Sequence, residues 1–321
     1  MIVALAGGVG GAKLVYGLQQ VVPAEELTVV VNTADDLVIH SLHVSPDLDT
    51  IMYTLAGLAN PASGWGIRDD TFGALGMLAR YGKDTWFKLG DRDIATHLVR
   101  KELLESGKSL TEVTECLCRA LGVEVAVLPM TDDRVSTAVL TDEGELEFQD
   151  YFVRRRGQDA VSGVRFRGVD TARITAPVAR ALETADAVIL CPSNPIVSIG
   201  PILAVGGVRQ RLQTCRAAVV AVSPIVSGDA VSGPAGRMLA GLGFEVSNYG
   251  VSQCYADFLD GLVIDRADEA EAQRVRDNGM AVLVANTIMK GPEDKVALAQ
   301  QVLEFAASIT RTKSTGRRPA R

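Results

Sequence analysis

Residues 1–21 read MIVALAGGVGGAKLVYGLQQV, and this stretch indicates the fold of the chain. The apolar run Ile2 to Ala6 has the composition of a buried β-strand, and a helical pattern extends from about Ala12 to Val21. Between them lie glycines 7, 8, 10 and 11. A strand, a glycine-rich turn and a helix present backbone N–H groups to an anion at the positive end of the helix dipole. We therefore expect a phosphate or nucleotide loop here, with Gly8, Gly10 and Gly11 in contact with the ligand.

This glycine loop matches neither of the two familiar phosphate-binding fingerprints. A P-loop would place glycine at position 12 and serine or threonine at position 14, where this chain has Ala12 and Leu14. A G-x-G-x-x-G pattern read from Gly8 places Lys13 at its third glycine. The alternative interpretation is a tight structural turn between strand and helix.

Apolar runs alternate with helical patterns along most of the chain. The predicted strands cover residues 2–6, 27–32, 124–128, 187–191, 217–222, 245–248, 261–264 and 281–286. The predicted helices lie near 12–21, 46–57, 70–81, 93–105, 110–121, 175–184, 234–242, 268–278 and 292–308. This alternation predicts an α/β fold with a doubly wound, mostly parallel, Rossmann-like sheet.

Two regions depart from the alternation. Residues 60–121 are rich in helical patterns without strands, which predicts a helical excursion, with a capping box of Ser109 and Glu112 before the 110–121 helix. Residues 134–168 indicate a small β-hairpin insertion that turns at Asp142-Glu143-Gly144, followed by a basic extended segment from Arg154 to Arg167. We expect one α/β domain over 1–308, with the insertion at about 60–168, and a basic, disordered tail over 309–321.

Composition excludes several classes of protein. The chain has 321 residues, of which 47% are apolar and 22% charged, and a net charge of −7 despite its basic end. An acidic body repels a polyanion, so we expect no nucleic-acid partner. No apolar run reaches the length of a membrane span, and Met1 enters the first strand directly, without a signal peptide. Five cysteines without a C-x-x-C pair favour reduced thiols over disulfides or zinc, as in a cytoplasmic protein.

Carboxylates follow the second predicted strand. That strand ends at Asn32 and continues as TADDLVIH (33–40) and later SPDLDT (45–50). Ligands of open α/β sheets bind beyond the carboxyl ends of the strands. This places a polar group where ligands are expected, namely Asn32, Asp35, Asp36, Asp47 and Asp49. Several carboxylates together suit Mg²⁺, although Asp36 is equally a loop residue and Asp47 and Asp49 equally helix N-terminal charges.

Further polar loops complete the predicted site. In KLGDRD (88–93), Lys88, Asp91 and Arg92 lie together at the start of a predicted helix, and such a group can bind phosphate or hydroxyl groups. A solvated charged turn is the alternative interpretation. Two later strands end in PSNPIVSIGP (192–201) and SPIVSGDAVSGPAGRM (223–238). Their candidate contacts are Ser193, Asn194, Ser198, Ser227 and Gly228. Three such loops around one sheet predict a phosphorylated, nucleotide-like ligand.

The ordered series of motifs resembles one known family. GGVGGAK, VVNTADD, SPDLDT, WGIRDDTFG, KLGDRDIATH, LPMTDD, PSNPIVSIGPI, and VSGPAGRM followed by DFLDGLVID are similar to the 2-phospho-L-lactate transferase family of coenzyme F-420 biosynthesis, from residue 1 to about 308. The resemblance implies that the terminal ribityl hydroxyl of the deazaflavin Fo attacks a guanosine-diphosphate-activated three-carbon acid. The phospho-acid is then transferred and GMP leaves, with Mg²⁺ assisting.

The resemblance also implies roles for individual residues. Asp49 and Lys88 match positions that contact Fo, and Asp35 matches the acidic loop associated with the metal. With this chemistry, Mg²⁺ on Asp35, with or without Asp36, bridges the diphosphate, and Lys88 or Arg92 offsets charge on the transferred group. Asp49 orients or deprotonates the attacking hydroxyl.

Several alternatives stay open on the sequence. The transferred acid is 2-phospholactate, phosphoenolpyruvate or 3-phosphoglycerate. A nucleotide-sugar- or dinucleotide-binding metabolic regulator of the same fold superfamily is the first rival function. A nicotinamide dehydrogenase is the second, with Asp35 on the ribose, although the glycine loop departs from that fingerprint. For the assembly we expect a homodimer, the commonest oligomer.

Overall fold

The computed structural model describes the backbone of residues 1–314 and the side chains of residues 1–310. Of the tail predicted over 309–321, residues 309–314 are helical, and the rest lies outside the described residues. In this part of the chain there are fourteen strands: β1 (Ile2–Ala6), β2 (Leu27–Val31), β3 (Leu37–Ile39), β4 (Leu42–Val44), β5 (Ala126–Pro129), β6 (Ser136–Thr141), β7 (Gly144–Glu147), β8 (Val161–Arg167), β9 (Ala187–Leu190), β10 (Ala218–Val222), β11 (Ile225–Val226), β12 (Asp229–Ala230), β13 (Gly261–Asp265) and β14 (Ala281–Ala285).

Twelve α-helices lie between these strands in the described residues. They are α1 (Gly8–Val21), α2 (Pro46–Leu55), α3 (Gly73–Arg80), α4 (Asp91–Glu105), α5 (Leu110–Ala120), α6 (Ala176–Thr184), α7 (Ile199–Ala204), α8 (Val208–Thr214), α9 (Ala235–Gly241), α10 (Asn248–Cys254), α11 (Ala272–Asp277) and α12 (Pro292–Ser314). Short 3-10 helices cover Ala24–Glu26 and Arg266–Glu271, and a π-helix covers Asp150–Arg154. None of the described helices has the length and apolar content that crossing a membrane requires.

Seven strands form one parallel sheet in the order β14-β13-β10-β9-β1-β2-β5. The chain proceeds from β1 to β2 and β5 on one side, then returns to β9 beside β1 and proceeds to β10, β13 and β14 on the other. The strand order therefore reverses between β1 and β9, which is where ligands bind in doubly wound sheets. The predicted α/β fold with a doubly wound, Rossmann-like sheet is confirmed.

Helices cover both faces of this sheet. On one face α1, α2, α5 and α12 share an apolar cluster with Ala4 and Ala6 of β1, and on the other α6 to α11 share a second cluster with Val3 and Leu5. Successive side chains of a strand point to opposite faces, so β1 is apolar on both. This explains why the predicted strands are continuous apolar runs.

Seven of the eight predicted strands are present, and the one at 245–248 is wrong. Ser247 caps a helix there, because its side chain accepts a hydrogen bond from the backbone N–H of Gly250. Helices α7 and α8 and the β3–β4 hairpin were not predicted, because these elements are too short to show a recognisable periodic pattern of apolar residues. The capping box of Ser109 and Glu112 is confirmed.

The predicted excursion and insertion are both present. Helices α3 to α5 form the excursion, and β6 to β8 form an antiparallel sheet in the order β7-β6-β8, with the expected turn at 142–144. The basic segment is extended only from Val161 onwards, because Asp150–Arg154 is a π-helix. Single π-helical turns are frequent at functional sites, and this one contributes to the cavity described below.

Candidate active site

A cavity of about 770 Å³ lies at the carboxyl ends of the central strands. Segments that follow β1, β2, β9, β10 and β14 line it, with further walls from α2, the turn before α4, and the π-helix. Of the predicted site residues, the structure brings together in its lining Gly8, Gly10, Asp35, Asp49, Lys88, Ser193, Asn194 and Ser198. Its position spans the point where the strand order reverses, as expected for a doubly wound sheet.

The glycine loop packs closely against the loop after β9. A Cβ atom on Gly10 would lie 2.3 Å from the carbonyl oxygen of Pro192, and one on Gly11 would lie 2.7 Å from Ser193 Oγ. The Ser193 hydroxyl donates to the carbonyl oxygen of Gly7 at 2.7 Å and accepts from its N–H at 3.1 Å. These glycines are therefore required for packing between two loops. Gly11 lies beneath the cavity and outside its lining.

Two buried carboxylates share one amide beside this loop. Asn32 Nδ2 donates to Asp35 Oδ2 at 2.9 Å and to Asp47 Oδ2 at 3.0 Å. Asn32 is fully buried and does not line the cavity, so it positions the two aspartates from behind. A Cβ on Gly7 would lie 2.5 Å from Asp47 Oδ2, which places this carboxylate at the start of α1, the position predicted for a phosphate.

Burial shifts the protonation of both aspartates. It raises the pKa of Asp35 well above its usual value, and repulsion from Asp47 raises it further. Burial also raises the pKa of Asp47 to about 6, although hydrogen bonds from Asn32 and the Gly8 backbone lower it in part. Asp35 Oδ1 is buried without a hydrogen-bond partner among the described residues. Hard divalent cations bind carboxylate oxygens. Two desolvated carboxylates, one with an unpaired oxygen, are therefore suitable ligands for such a cation.

Asp36 does not join this pair. Its Oδ2 accepts a hydrogen bond from Ser45 Oγ at 2.7 Å and contacts His43 Nε2 at 2.9 Å. Burial raises its pKa, but the side chain does not line the cavity. Asp35 is therefore paired with Asp47 and not, as expected, with Asp36. The sequence allowed Asp47 to be either a ligand residue or a charge at a helix N-terminus.

A second buried polar cluster lines the same cavity. Asp49, Asp93 and His97 present ligand atoms that all lie within 4.8 Å of one another, a spacing compatible with a divalent cation. Arg100 contacts both oxygens of Asp49 and lies 3.0 Å from His97 Nδ1, so a positive charge is already present there. Tyr53 OH donates to Asp93 Oδ1 at 2.8 Å.

Two lysines supply positive charge to the lining. Lys13, in the first turns of α1, and Lys88, before α4, both reach the cavity. Neither forms an ion pair among the residues whose side chains are described. They are thus available to an anionic ligand, since a lysine ammonium binds phosphate as a point charge.

Asp91 and Arg92 lie outside the lining. Asp91 accepts hydrogen bonds from Thr71 Oγ1, from the Ala74 N–H and from the Gly73 N–H, and these bonds lower its pKa. It therefore caps the start of α3. Arg92 is exposed, and its Nη1 donates to the carbonyl oxygen of Arg68 at 3.3 Å.

Both later loops line the cavity, but the second does so through residues other than the predicted Ser227 and Gly228. Asn194 lines the cavity, its Oδ1 accepts from the Ile196 N–H at 2.9 Å, and its Nδ2 is buried with no partner in the described residues. Ser227 and Gly228 form the turn of the β11–β12 hairpin, and the Ser227 N–H donates to Asp268 Oδ1 at 2.9 Å. The cavity is lined instead by residues 231–235 of that loop.

Large apolar side chains surround the polar groups. Phe148 and Phe152 stack with centroids 5.5 Å apart, and Trp65 and Trp86 also line the cavity. Trp65 is 47% exposed and Phe152 38% exposed, although both are large apolar residues. Exposed aromatic faces within a concave site suit stacking on a planar ring.

Sequence reasoning assigned no role to several lining residues. Lys13 had a signal, because it follows the last glycine of the loop by only two residues. Trp86 and Phe152 had none, since single aromatic residues in loops and helices are more often part of a core. Arg100, which contacts the cavity only through Asp49, had no signal either, because this partner is 51 residues away in sequence.

Comparisons with known proteins identify the family of this chain. The family profile described as 2-phospho-L-lactate transferase CofD matches residues 2–301. A 2-phospho-L-lactate transferase of Methanococcoides burtonii is 41% identical over 308 residues, which cover 96% of this chain and 100% of the relative. A phosphoenolpyruvate transferase of Kitasatospora aureofaciens is 42% identical over 315 residues, which cover 96% of this chain and 98% of the relative.

Solved structures show the fold alone. A member of the UPF0052 family from Bacillus halodurans superposes with a TM-score of 0.66 at 14% identity, covering 94% of this chain and 98% of that one. The two sequence comparisons extend over almost the whole chain and bear out the family named from its motifs. The chain therefore belongs to the 2-phospho-L-lactate transferase CofD family, and it is an enzyme, a transferase.

Proposed function

We propose that this transferase moves a phospho-three-carbon-acid group from a guanosine-diphosphate-activated donor to the terminal ribityl hydroxyl of the deazaflavin Fo. A new P–O bond forms between that hydroxyl oxygen and the phosphorus that carries the acid. The bond from this phosphorus to the bridging oxygen of the diphosphate breaks, and GMP leaves. The hydroxyl proton is released to solvent. The observation that carries the proposal is the desolvated pair Asp35 and Asp47 beside the glycine loop, in a cavity of about 770 Å³.

The cavity has complementary features for the two substrates. We assign the acceptor to Asp49 and Lys88, with its planar ring against the aromatic side chains, because carboxylates accept hydrogen bonds from a polyol. We assign the guanosine end of the donor to the loop after β9 and to residues 231–235. The free Nδ2 of Asn194 offers a hydrogen bond to that ligand.

We further propose that the cofactor is Mg²⁺, held by Asp35 with Asp47. When bound, Mg²⁺ neutralises charge on the diphosphate. A diphosphate next to two bare carboxylates would otherwise be repelled, since like charges a few ångströms apart in a buried site repel strongly. Lys13 and Lys88 offset the charge of the transferred group, and Asp49 orients the attacking hydroxyl by accepting its hydrogen bond. Catalysis is then positioning and charge neutralisation, as in other phosphoryl transfers.

The proposal is tested by product identification. The purified chain is incubated with Fo, Mg²⁺ and, in separate reactions, the guanosine diphosphate derivatives of 2-phospholactate, phosphoenolpyruvate and 3-phosphoglycerate. Mass spectrometry of each reaction should show Fo carrying the phospho-acid for at least one donor, with an equal amount of GMP. Binding of nucleotide without product from any donor would instead favour a regulatory protein and would overturn the proposal.

A set of three variants tests the metal site. Asp35→Asn keeps size and hydrogen bonding but removes charge, so turnover should fall on the order of a hundredfold or more, with folding little affected. Asp47→Asn should cause a comparable loss, whereas Asp36→Asn, outside the cavity, should cause a clearly smaller one. Full turnover in excess EDTA, or a folded Asp35→Asn enzyme near the wild-type rate, would show that these carboxylates hold no required cation.

A further inference from the structure

Asp49 has a buried arginine as its partner. Arg100 of α4 is 2% exposed, its Nη1 lies 3.1 Å from Asp49 Oδ2, and its Nη2 contacts Asp49 Oδ1. Two parallel hydrogen bonds from one guanidinium fix both the place and the plane of a carboxylate. Asp49 lines the cavity and Arg100 does not, so Arg100 can act on a ligand only through Asp49.

The guanidinium is held in turn by a chain of polar contacts. Arg100 Nη1 lies 3.0 Å from His97 Nδ1, and His97 Nε2 lies 3.3 Å from Asp93 Oδ1 without the geometry of a hydrogen bond. Tyr53 OH donates to the same Asp93 oxygen at 2.8 Å. This positioning chain, Tyr53–Asp93–His97–Arg100–Asp49, links α2 to α4 and has both of its ends on the cavity.

Stability alone is a poor explanation for such an arrangement. Burying an ion pair costs about as much desolvation energy as the attraction returns, and a well-packed apolar pair is often as stable. What a buried arginine provides better than an apolar residue is geometry. Its planar fork holds two oxygens at once, whereas a lysine ammonium is a single point of charge.

We propose that Arg100 is a positioning residue, which fixes the Asp49 carboxylate in the orientation that accepts a hydrogen bond from the polyol of the acceptor. The inference rests on the proposed function, because it requires that Asp49 binds Fo. It adds that the affinity for the acceptor depends on the orientation of Asp49 and not only on its charge. The donor, held by other loops, should be bound independently of Arg100.

A double-mutant cycle tests this inference, with Fo itself as the probe in calorimetric titrations. Arg100→Lys keeps the charge and removes the bidentate contact, so it should weaken Fo binding by about tenfold. In an Asp49→Asn background the same substitution should change Fo affinity by less than about twofold, because residues that act through one another are not additive. In steady-state kinetics the KM for Fo should rise and kcat should fall, because Asp49 also orients the attacking hydroxyl, while the KM for the donor stays nearly constant.

Controls separate the possible failures. Arg209→Lys breaks a bidentate pair with Asp257 outside the cavity and should leave Fo affinity unchanged. If Arg100→Lys does not fold, His97→Leu serves in its place, because it removes the Nδ1 contact to Arg100 and retains both Arg100 and Asp49. Its effect on Fo affinity should likewise disappear in an Asp49→Asn background. Equal weakening with and without Asp49, or wild-type affinity in Arg100→Lys, overturns the positioning role. Absence of Fo binding to the wild-type chain overturns the proposed acceptor, and the inference with it.

Discussion

At the scale of single residues, the active cavity is dominated by acids whose charges are not balanced within the protein. Asp35 and Asp47 share one amide donor, and no cationic side chain contacts either of them among the described residues. Asp49, by contrast, has Arg100. The two carboxylate groups therefore differ in their partners, and this difference is the reason for proposing Mg²⁺ at Asp35 and Asp47.

The raised pKa of Asp47 predicts a pH-dependent stability. The folded state binds this proton more tightly than the unfolded chain, whose aspartates titrate near 3.8. The stabilising contribution is therefore complete below about pH 4 and is lost as the pH rises through about 6. Asp47→Asn cannot ionise, so without metal it should be more stable than the wild type by about 1–3 kcal/mol at pH 8.

Urea unfolding in EDTA at several pH values measures this difference. The gain from Asp47→Asn should shrink towards zero near pH 4, and Mg²⁺ should stabilise the wild type more than the variant at pH 8. Asp84→Asn, at an exposed position, serves as the matched control and should show no pH-dependent gain. A constant difference between Asp47→Asn and wild type from pH 4 to 8 would contradict the assignment.

At the scale of elements, the glycine loop illustrates what could be predicted and what could not. The strand, the turn and the helix were recognisable from residues 1–21, because each pattern is local. The reason for Gly10 was not local, since its neighbour is the carbonyl oxygen of Pro192, on a loop that lies far along the chain. The glycines are therefore needed for the packing of α1 against the loop after β9, whether or not they also contact a ligand.

Adding a methyl group tests this junction. Gly10→Ala forces the two loops apart and should destabilise the protein by about 1–3 kcal/mol, the usual cost of overpacking. Gly76→Ala is the matched control, because a Cβ there meets nothing within 4 Å and Gly76 lies inside the exposed helix α3. It should stabilise by up to about 1 kcal/mol. Equal denaturation midpoints for Gly10→Ala and wild type would show that the loops can separate freely.

At the scale of the whole molecule, the order of strands and motifs made the fold and the location of the site predictable. Each strand ends in polar residues, and a parallel sheet gathers those ends at one edge. Which side chains then pair was not predictable, as with Asp35 and Asp47 or Arg100 and Asp49, because the packing of α2 against α4 and against the loop after β2 decides it. The homodimer and the roles of Arg92 and Asp91 stay predictions.

The central claim is direct transfer between two ligands held in one cavity, with no covalent enzyme intermediate. The most direct measurement is a rapid-quench single turnover that counts GMP and phospho-acid product, with and without Fo. We predict that GMP appears only when Fo is present, in a one-to-one ratio with the product, and that the intact mass of the enzyme stays unchanged with donor alone. A stoichiometric burst of GMP without Fo, together with a phospho-acid adduct on the protein, would contradict this account.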